Sequence, residues 1–371
     1  MISLTNLRIW VLVPYLETDD PNLKYYYDFS QSLEEYSRVF TELTADWVWQ
    51  PVTIQNFRDV IKSIRPASAG KTPVILNLCD GDEVNGTPGI SVIDVLDEEE
   101  LIYTGSSRYF YDVTTSKIPM KQCFDARNVP TAPWEVIDEA GKLDGIFERL
   151  GSPLIIKPAI SGGSMGVSIK NVVSNEVQLQ ARLAEIRSGY RGWDLEAGGL
   201  FVERYIAGRE FTTFLIGAAK RIRQCKVFEP IERVFHPSLP ATEKFLSFDR
   251  LWEIYEDEAP MPANENFYEY RAVEDEALVQ RLKQLSLDAF GSVKGTGYTR
   301  IDFRMDDEGN IFVLEVNAQC GLSEDENYTS IGAILRVSNK TFTQVVVGVL
   351  EEAFRQKDAA LLKQLKRRKA A

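Results

Sequence analysis

Four polar side chains recur with strand spacing near the end of the chain: Arg300, Asp302, Glu315 and Asn317. The run Asp-Asp-Glu-Gly-Asn at 306–310 separates two apolar segments and predicts a β-hairpin. With a four-residue loop at its tip, Arg300 pairs with Asn317 and Asp302 pairs with Glu315. Directly opposed residues of a hairpin share a face, so the four side chains are predicted to form one polar cluster.

The same register predicts the tip and the other face of the hairpin. A loop over residues 307–310 pairs Asp306 with Ile311, and side chains alternate along each strand from that pair. The opposite face then carries only apolar residues, which are Ile301, Phe303, Met305, Phe312, Leu314 and Val316. One surface of the hairpin is therefore predicted to face the core and the other to remain polar.

The polar face has the chemistry of a magnesium site. Carboxylate and amide oxygens are hard ligands that suit Mg²⁺, which takes its other positions from water and substrate phosphates. Arg300 beside them can hold a phosphoryl group with two hydrogen bonds. The alternative is a solvated strand face crossed by salt bridges, and the hairpin alone does not separate the two.

A glycine-rich segment, Ser-Gly-Gly-Ser-Met-Gly at 161–166, follows an apolar strand that ends in Lys157 and Pro158. Glycines let the backbone approach a phosphate, and successive N–H groups form a nest for anions. Ser161 and Ser164 add hydroxyl donors. The segment is not a G-x-x-x-x-G-K-[ST] loop, and a structural hairpin without function is the alternative.

A third segment, residues 202–211, places Glu203 near the end of an apolar strand and Glu210 after a turn. Two acids so spaced can bind the amino group of adenine and a hydroxyl of ribose. Exposed glutamates are common, so this segment gains meaning only together with the other two.

Rigid elements must position these segments. Apolar runs predict strands at 7–13, 74–78, 102–105, 154–158, 167–170, 200–205, 211–216, 298–305 and 311–316. Helical patterns appear at 29–40, 92–100, 117–128, 272–293 and 344–369, and irregular loops at 80–89 and 230–261. Strands that alternate with helices predict an α/β fold with a parallel sheet, accompanied by α+β subdomains.

Composition bounds the class of protein. The chain has 371 residues and a net charge of −13, which fits two or three subdomains and argues against nucleic acid or an anionic membrane as the main partner. Its four cysteines form no C-x-x-C motif and suit a reducing, cytoplasmic location. No apolar run is long enough to cross a bilayer. The single histidine, His236, argues against a histidine-rich metal site.

The three segments together resemble ATP-grasp ligases, most closely the D-alanine–D-alanine ligase group. The strings that carry the resemblance are LIIKPAISGGSMGV at 154–167, FVERYIAGREFTTF at 201–214 and GYTRIDFRMDDEGNIFVLEVNAQCG at 297–321. The resemblance implies an ATP-grasp fold behind an N-terminal parallel-sheet domain. It implies a division into 1–115 on the substrate side, 116–200 with the glycine-rich loop, 201–345 with the magnesium site, and a terminal helix at 346–371.

The resemblance also implies roles for single residues. The ATP-binding positions are Lys117, Lys157, Ser161, Gly162, Gly163, Glu203, Arg204, Ile206 and Glu210. Asp302, Glu315 and Asn317 match the ligands of two Mg²⁺ ions, with Mn²⁺ as an alternative. The catalytic positions are Arg300, which stabilises the acyl phosphate, Gly321, whose N–H helps form an oxyanion hole, and Ser164 in a closing loop.

The chain departs from the family pattern around its substrates. The family's His-Gly pair is replaced by Cys-Asp-Gly at 79–81. A further phosphate-binding lysine of the family has no clear match, and Arg250 lies one place away from its position. After Gly321, three acids at 324–326 stand where the family has hydroxyl residues for the second substrate's carboxylate. These acids either face solvent or contact a cationic acceptor. The predicted substrate-side residues are Glu17, Asp80, Glu324 and Glu326.

We therefore expect an ADP-forming carbon–nitrogen ligase that joins a small-molecule carboxylate to an amine through an acyl phosphate, with substrates other than two D-alanines. The resemblance implies a homodimer. Two other functions stay open: a nucleotide-binding regulatory scaffold without turnover, and a phosphotransferase that stops at a phosphorylated product. Phosphate release that needs both a carboxylate and an amine separates the three.

Overall fold

The computed structural model describes residues 4–16, 28–137, 143–189, 192–256, 258–262, 265–325 and 329–358. Two predicted substrate-side residues, Glu17 and Glu326, lie outside the described residues, as does the predicted terminal helix beyond residue 358. No helix in these ranges is both long and apolar enough to cross a membrane.

The N-terminal part is a parallel sheet covered by helices on both faces. Its elements are β1 (Leu7–Pro14), α1 (Ser30–Glu42), β2 (Asp46–Val52), α2 (Phe57–Ala67), β3 (Thr72–Asn77), α3 (Ile90–Glu98), β4 (Ile102–Tyr103) and α4 (Arg108–Thr115). The strand order is β2-β1-β3-β4, and all neighbours are parallel. Val11 and Leu12 of β1 enter cores on opposite faces, which explains the continuous apolar run of this strand.

The sequence predicted β1, β3 and β4 but not β2 or α2. Strand β2 lies at the edge of the sheet, contains Pro51 and is mostly half-exposed. An edge strand has neither a continuous apolar run nor a strict alternation, so the sequence pattern for it is weak.

The central part is an antiparallel sheet. Its elements are α5 (Lys117–Ala126), β5 (Trp134–Ile137), α6 (Ile146–Leu150), β6 (Leu154–Pro158), β7 (Val172–Val173), α7 (Glu176–Arg187) and β8 (Leu200–Arg204), in the sheet order β5-β8-β6-β7. The predicted strand at 167–170 was wrong, because Ile169–Asn171 forms a single 3₁₀ turn. Ser168 and Asn171 cap this turn by hydrogen bonds that compete with strand formation.

The C-terminal part is a larger antiparallel sheet. Its elements are β9 (Arg209–Ala218), β10 (Lys226–Val227), β11 (Ile231–Phe235), α8 (Phe248–Trp252), β12 (Tyr268–Ala272), α9 (Glu276–Ser292), β13 (Thr296–Met305), β14 (Ile311–Ala318), α10 (Ser330–Val337) and α11 (Phe342–Lys357). The order is β12-β11-β9-β13-β14, with β10 also on β9. Helix α9 packs on the sheet face opposite the polar cluster through Leu282 and Phe290.

Strand β11 and helix α8 fall within 230–261, which the sequence predicted as an irregular loop, so that prediction was wrong for these elements. Glu232 and Arg233 obscure the strand pattern. They pair across the sheet with Arg209 and Glu210 of β9, and these long-range partners are invisible in a local window.

The hairpin register is as predicted at the polar cluster and shifted at the tip. Arg300 faces Asn317 and Asp302 faces Glu315, but a β-bulge follows Asp302 and Met305 pairs with Ile311. The pairing of Asp306 with Ile311 was therefore wrong. The loop is one residue longer than predicted, and the bulge compensates for it.

The bulge also changes which residues of β14 face the core. Ile311 and Val313 are buried there, whereas Leu314 lines the cleft on the polar side. The prediction that Phe312 and Leu314 face the core was wrong, because one unpaired residue inverts the alternation of the strand beyond it.

The N-terminal sheet is joined directly to the hairpin. Gln319, which follows β14, donates from Nε2 to the carbonyl of Cys79 at 2.7 Å. Gly297 in β13 has φ +80°, and a Cβ atom there would lie 2.0 Å from the carbonyl oxygen of Gly105. This backbone contact leaves no room for a side chain.

We expect Gly297→Ala to destabilise the protein more than Gly309→Ala. Both glycines have nearly the same positive φ, but a Cβ at Gly309 meets nothing within 4 Å. The loss at Gly309 is about 1 kcal/mol from backbone strain alone, and the overlap at Gly297 adds roughly 1–3 kcal/mol. Urea unfolding of both variants measures the difference, and equal losses would contradict the close approach.

Candidate active site

A cleft separates the central sheet from the C-terminal sheet. The predicted site residues that line it are Lys117, Lys157, Ser161, Gly163, Ser164, Glu203, Arg204, Ile206, Glu210, Arg300, Asp302, Glu315 and Asn317. The remaining described ones, Asp80, Gly162, Gly321 and Glu324, are not among its lining residues. Segments far apart in sequence are therefore brought to one space.

The hairpin cluster lies on the floor of this cleft. Arg300 contacts Oδ2 of Asp302 from Nε at 3.1 Å and from Nη2 at 3.0 Å. Asn317 donates from Nδ2 to the same oxygen at 3.0 Å and to Oε1 of Glu315 at 3.3 Å. Lys117 places Nζ at 3.3 Å from Oε2 of Glu315. Both carboxylates are thus held among N–H donors.

Burial and charge act in opposite directions on the two acids. Burial raises the pKa of Asp302, although Arg300 opposes the rise. Burial also acts to raise the pKa of Glu315, but Lys117 and Arg300 outweigh it and lower that pKa to about 2. Glu315 is consequently ionised throughout the neutral range.

This cluster fits a divalent cation. In the described part of the chain, no group of three or more His, Cys, Asp and Glu side chains could hold a metal ion. The candidate site is of a different composition, because it combines two carboxylates, Asp302 and Glu315, with the amide of Asn317. All three offer hard oxygen atoms into one cleft, and a divalent cation would take the place of the N–H donors that now neutralise them.

Glu203 joins two lysines at the base of the cleft. Lys157 donates to its Oε1 at 2.6 Å, and Nζ of Lys121 lies 2.5 Å from its Oε2. Burial acts to raise the pKa of Glu203, but these two ammonium groups prevail and lower it to about 2. Its oxygens thus contact lysines rather than standing free for the amino group of adenine.

Glu210 is held by two arginines that the sequence analysis did not single out. Arg233 of β11 and Arg304 of β13 both pair with its carboxylate, the second at 2.8 Å. Arg233 also donates to the hydroxyl of Tyr270 at 3.0 Å, and Arg304 donates to the carbonyl of Ile206 at 3.2 Å. Neither arginine stands out in the local sequence, because its partner Glu210 lies on a different strand.

The glycine-rich loop is fastened to the segment around α8. Ser164, at φ +63°, donates to the carbonyl of Leu246 at 2.9 Å, and Trp252 donates to the carbonyl of Gly163 at 2.9 Å. Ser161 donates within the loop to Met165 at 2.6 Å. Two separate coverings of the cleft are therefore hydrogen-bonded into one unit.

Arg250 is not available as the counterpart of a phosphate-binding lysine. Its side chain is 4% exposed and lies 2.9 Å from Glu243 and 2.9 Å from Glu258. It stabilises the covering segment from within and does not line the cleft.

The acids after Gly321 are placed away from the cleft as far as the structure describes them. Glu324 pairs with Arg38 of α1 at 2.6 Å. Ser323 donates to the buried carboxylate of Glu35 at 2.8 Å, and Tyr36 donates to the carbonyl of Leu322 at 3.1 Å. Helix α1 thereby anchors this loop to the N-terminal domain.

Hydroxyl groups do line the cleft, but later in the chain than the sequence analysis looked for them. Thr329 and Ser330 stand at the start of α10 and both line it. The Oγ of Ser330 is buried and has no hydrogen-bond partner among the described residues. These two residues follow the acids at 324–326, where the sequence analysis looked for such hydroxyl groups.

Known proteins resemble this chain over most of its length. The model of the family described as D-ala D-ala ligase C-terminus matches residues 124–350. The D-alanine–D-alanine ligase of Synechococcus sp. (strain JA-3-3Ab) is 30% identical over 271 residues, 69% of each chain. That of Acinetobacter baumannii (strain ATCC 17978) is 27% identical over 259 residues, covering 70% of this chain and 73% of the relative.

Solved structures share the fold. The crystal structure of D-alanine–D-alanine ligase from Bacillus anthracis complexed with ATP superposes with a TM-score of 0.63 at 16% identity, covering 94% of this chain and 98% of that chain. The enzyme from Coxiella burnetii gives 0.61 at 15% identity, covering 98% and 100%.

The paired sheets and the cleft between them define an ATP-grasp fold with an N-terminal parallel-sheet domain. Since the family model spans more than half of the chain, the protein belongs to the D-alanine–D-alanine ligase family, whose members are ADP-forming carbon–nitrogen ligases.

We expect Glu203→Gln to lower the free energy of unfolding near neutral pH, because both lysines lose their counter-charge. The folded pKa of Glu203 lies below its unfolded value, so its stabilisation is present above about pH 4.5 and is lost as the pH falls toward 2. The gap between the two proteins should therefore shrink from pH 5 to pH 3 in urea unfolding. Glu324→Gln, at the exposed pair with Arg38, is the control. If the difference in free energy of unfolding between the wild type and Glu203→Gln did not change with pH, the lowered pKa of Glu203 would be refuted.

Proposed function

We propose that the protein joins a carboxylate to an amine through an acyl phosphate, using ATP. The carboxylate oxygen attacks the γ-phosphorus and ADP leaves. The amine nitrogen then attacks the acyl carbon, phosphate leaves with its oxygen, and the nitrogen loses a proton. The observation that carries the proposal is that Arg300, Asp302, Glu315 and Asn317 share one cleft face with Lys117 beside them.

The chain's own groups have distinct tasks in this proposal. Lys117 and Lys157 bind the phosphates, and Arg300 holds the group in transfer, so catalysis is positioning plus electrostatic stabilisation. Asp302, Glu315 and Asn317 would hold two Mg²⁺ ions, which neutralise phosphate charge when bound. The predicted role of the Gly321 N–H in an oxyanion hole stays a proposal, since Gly321 is not among the residues that line the cleft.

Water must be kept away from an acyl phosphate, because water would hydrolyse it. The glycine-rich loop and the segment around α8 are suited to this, since Ser164 and Trp252 join them over the cleft. Residues 161–164 then face the triphosphate with backbone N–H groups.

We propose that the substrates are not two D-alanines. The difference is expected in the substrate whose carboxylate is phosphorylated. Asp80 is exposed at the end of β3, where the family has a His-Gly pair. The acceptor side gives a weaker argument than the sequence did, because Glu324 pairs with Arg38. Ser330 instead offers a hydroxyl at the cleft, which suits an acceptor that carries both an amine and a carboxylate, whereas the Thr329 hydroxyl donates to the carbonyl of Ser323 at 3.1 Å.

A pairwise screen of amino acids, amines and carboxylates tests the reaction class and includes D-alanine with D-alanine. We expect phosphate release that requires both partners, with a product mass equal to their sum less one water. Release with one partner alone would indicate a phosphotransferase. ATP binding without release in any pair would indicate a scaffold, and release with D-alanine alone at full rate would overturn the substrate proposal.

On the active pair, Glu315→Ala should reduce turnover at least about 100-fold, because the metal site loses a carboxylate. Glu308→Ala, in the exposed hairpin tip, is the matched control. Circular dichroism verifies that both variants are folded. Unchanged turnover in Glu315→Ala would refute the metal assignment.

Ser330→Ala should raise the KM for the acceptor several-fold, since one hydroxyl partner of its carboxylate is lost. Glu324→Lys should leave the acceptor profile as it is, because that side chain lies at the α1 interface. An altered acceptor preference in Glu324→Lys would indicate that the acids at 324–326 line the substrate pocket.

A further inference from the structure

Helix α5 carries two lysines one turn apart, and they contact carboxylates of different sheets. Lys117 lies beside Glu315 of the hairpin, whereas Lys121 lies beside Glu203 of the central sheet. Residues four apart share a helix face. Only Lys117 lines the cleft, so Lys121 has no direct access to a ligand.

Lys121 is almost completely withdrawn from solvent. Its side chain is 1% exposed, and the side chain of Glu203 is 2% exposed. Its Nζ also donates to Oγ1 of Thr131 at 2.7 Å, and Thr131 donates in turn to the carbonyl of Val313 on β14 at 3.0 Å. The ammonium is thus held by Glu203 of β8 and by Thr131, which is itself hydrogen-bonded to β14 of the other sheet. Burying a charge is costly unless it is paired, so an apolar residue would be the simpler choice here.

The charge balance around Glu203 gives a reason for this expense. Lys157 and Lys121 bring two positive charges to one carboxylate. With Lys121 in place, the trio carries one net positive charge, and Lys157 faces the cleft with 17% of its side chain exposed. Without Lys121, Glu203 would neutralise Lys157 completely, and the cleft would lose its attraction for phosphate at this point.

We infer that Lys121 is a positioning residue that holds the Glu203 carboxylate and thereby keeps Lys157 both oriented and electrostatically free to bind the phosphates of ATP. The inference rests on the proposed function only in assuming that ATP occupies this cleft. A purely structural ion pair would stabilise the fold without affecting phosphate affinity. The two roles therefore predict different binding data.

The test is calorimetric titration of the full-length protein with MgATP, with no carboxylate or amine substrate present. Lys121→Met should weaken ATP binding roughly tenfold, because one unit of positive charge is lost near the phosphates. The double variant Lys121→Met/Glu203→Gln removes both buried charges and leaves Lys157 positive. Its affinity should recover to within about threefold of the wild type.

Two further variants guard against misfolding. Thr131→Val removes only the hydrogen bond that orients Lys121 and should weaken ATP binding less than Lys121→Met does. Lys283→Met breaks a lysine pair with Glu229 at 2.6 Å outside the cleft and should bind ATP like the wild type. Thermal unfolding of each variant separates stability from affinity.

The inference is overturned if Lys121→Met binds ATP as tightly as the wild type, or if the double variant binds as weakly as Lys121→Met alone. Recovery of ATP affinity in the double variant supports the inference. The double variant loses a second buried charge, and restored packing cannot explain why that loss would strengthen ATP binding. Absence of ATP binding in the wild type would instead refute the proposed function itself.

Discussion

The structure depends on keeping several carboxylates ionised in a partly buried cleft. Glu203, Glu315 and Asp302 each lie within hydrogen-bonding or ion-pair distance of lysine, arginine or amide groups. Burial opposes the charged form of an acid. Paired cations outweigh burial at Glu203 and Glu315, whereas at Asp302 Arg300 only reduces its effect. Lys117, Lys157 and Arg300, which pair with these acids, also line the cleft. The same arrangement therefore lets phosphate take the place of the acids at the cations, and a metal ion take the place of the cations at the acids.

Rigid strands make this balance geometrically reliable. Arg300, Asp302, Glu315 and Asn317 are set by adjacent rungs of one antiparallel ladder, so their separations follow from strand geometry rather than from loop conformations. The bulge after Asp302 preserves those rungs and lets Leu314 turn into the cleft. Local irregularity therefore sits next to the cluster without disturbing it.

The sequence predicted the parts of the site that depend on local pattern. Alternation and a turn signal gave the pairing of Asp302 with Glu315, but only because a bulge offset a loop that is one residue longer than predicted. A glycine-rich run marked the loop near Lys157. Long-range pairing was beyond reach: Arg233 acquires meaning only once β11 lies beside β9. Thr329 and Ser330 were missed because no local pattern shows that the start of α10 lines the cleft.

The loop after β14 has a consequence for how new specificities arise in this architecture. Glu35 and Tyr36 of α1 grip Ser323 and Leu322, which belong to the chain's final third. The N-terminal domain is thereby hydrogen-bonded to the loop that follows β14. Recombination that exchanged α1 without the loop after β14 would break these hydrogen bonds. We therefore expect the two segments to be inherited together.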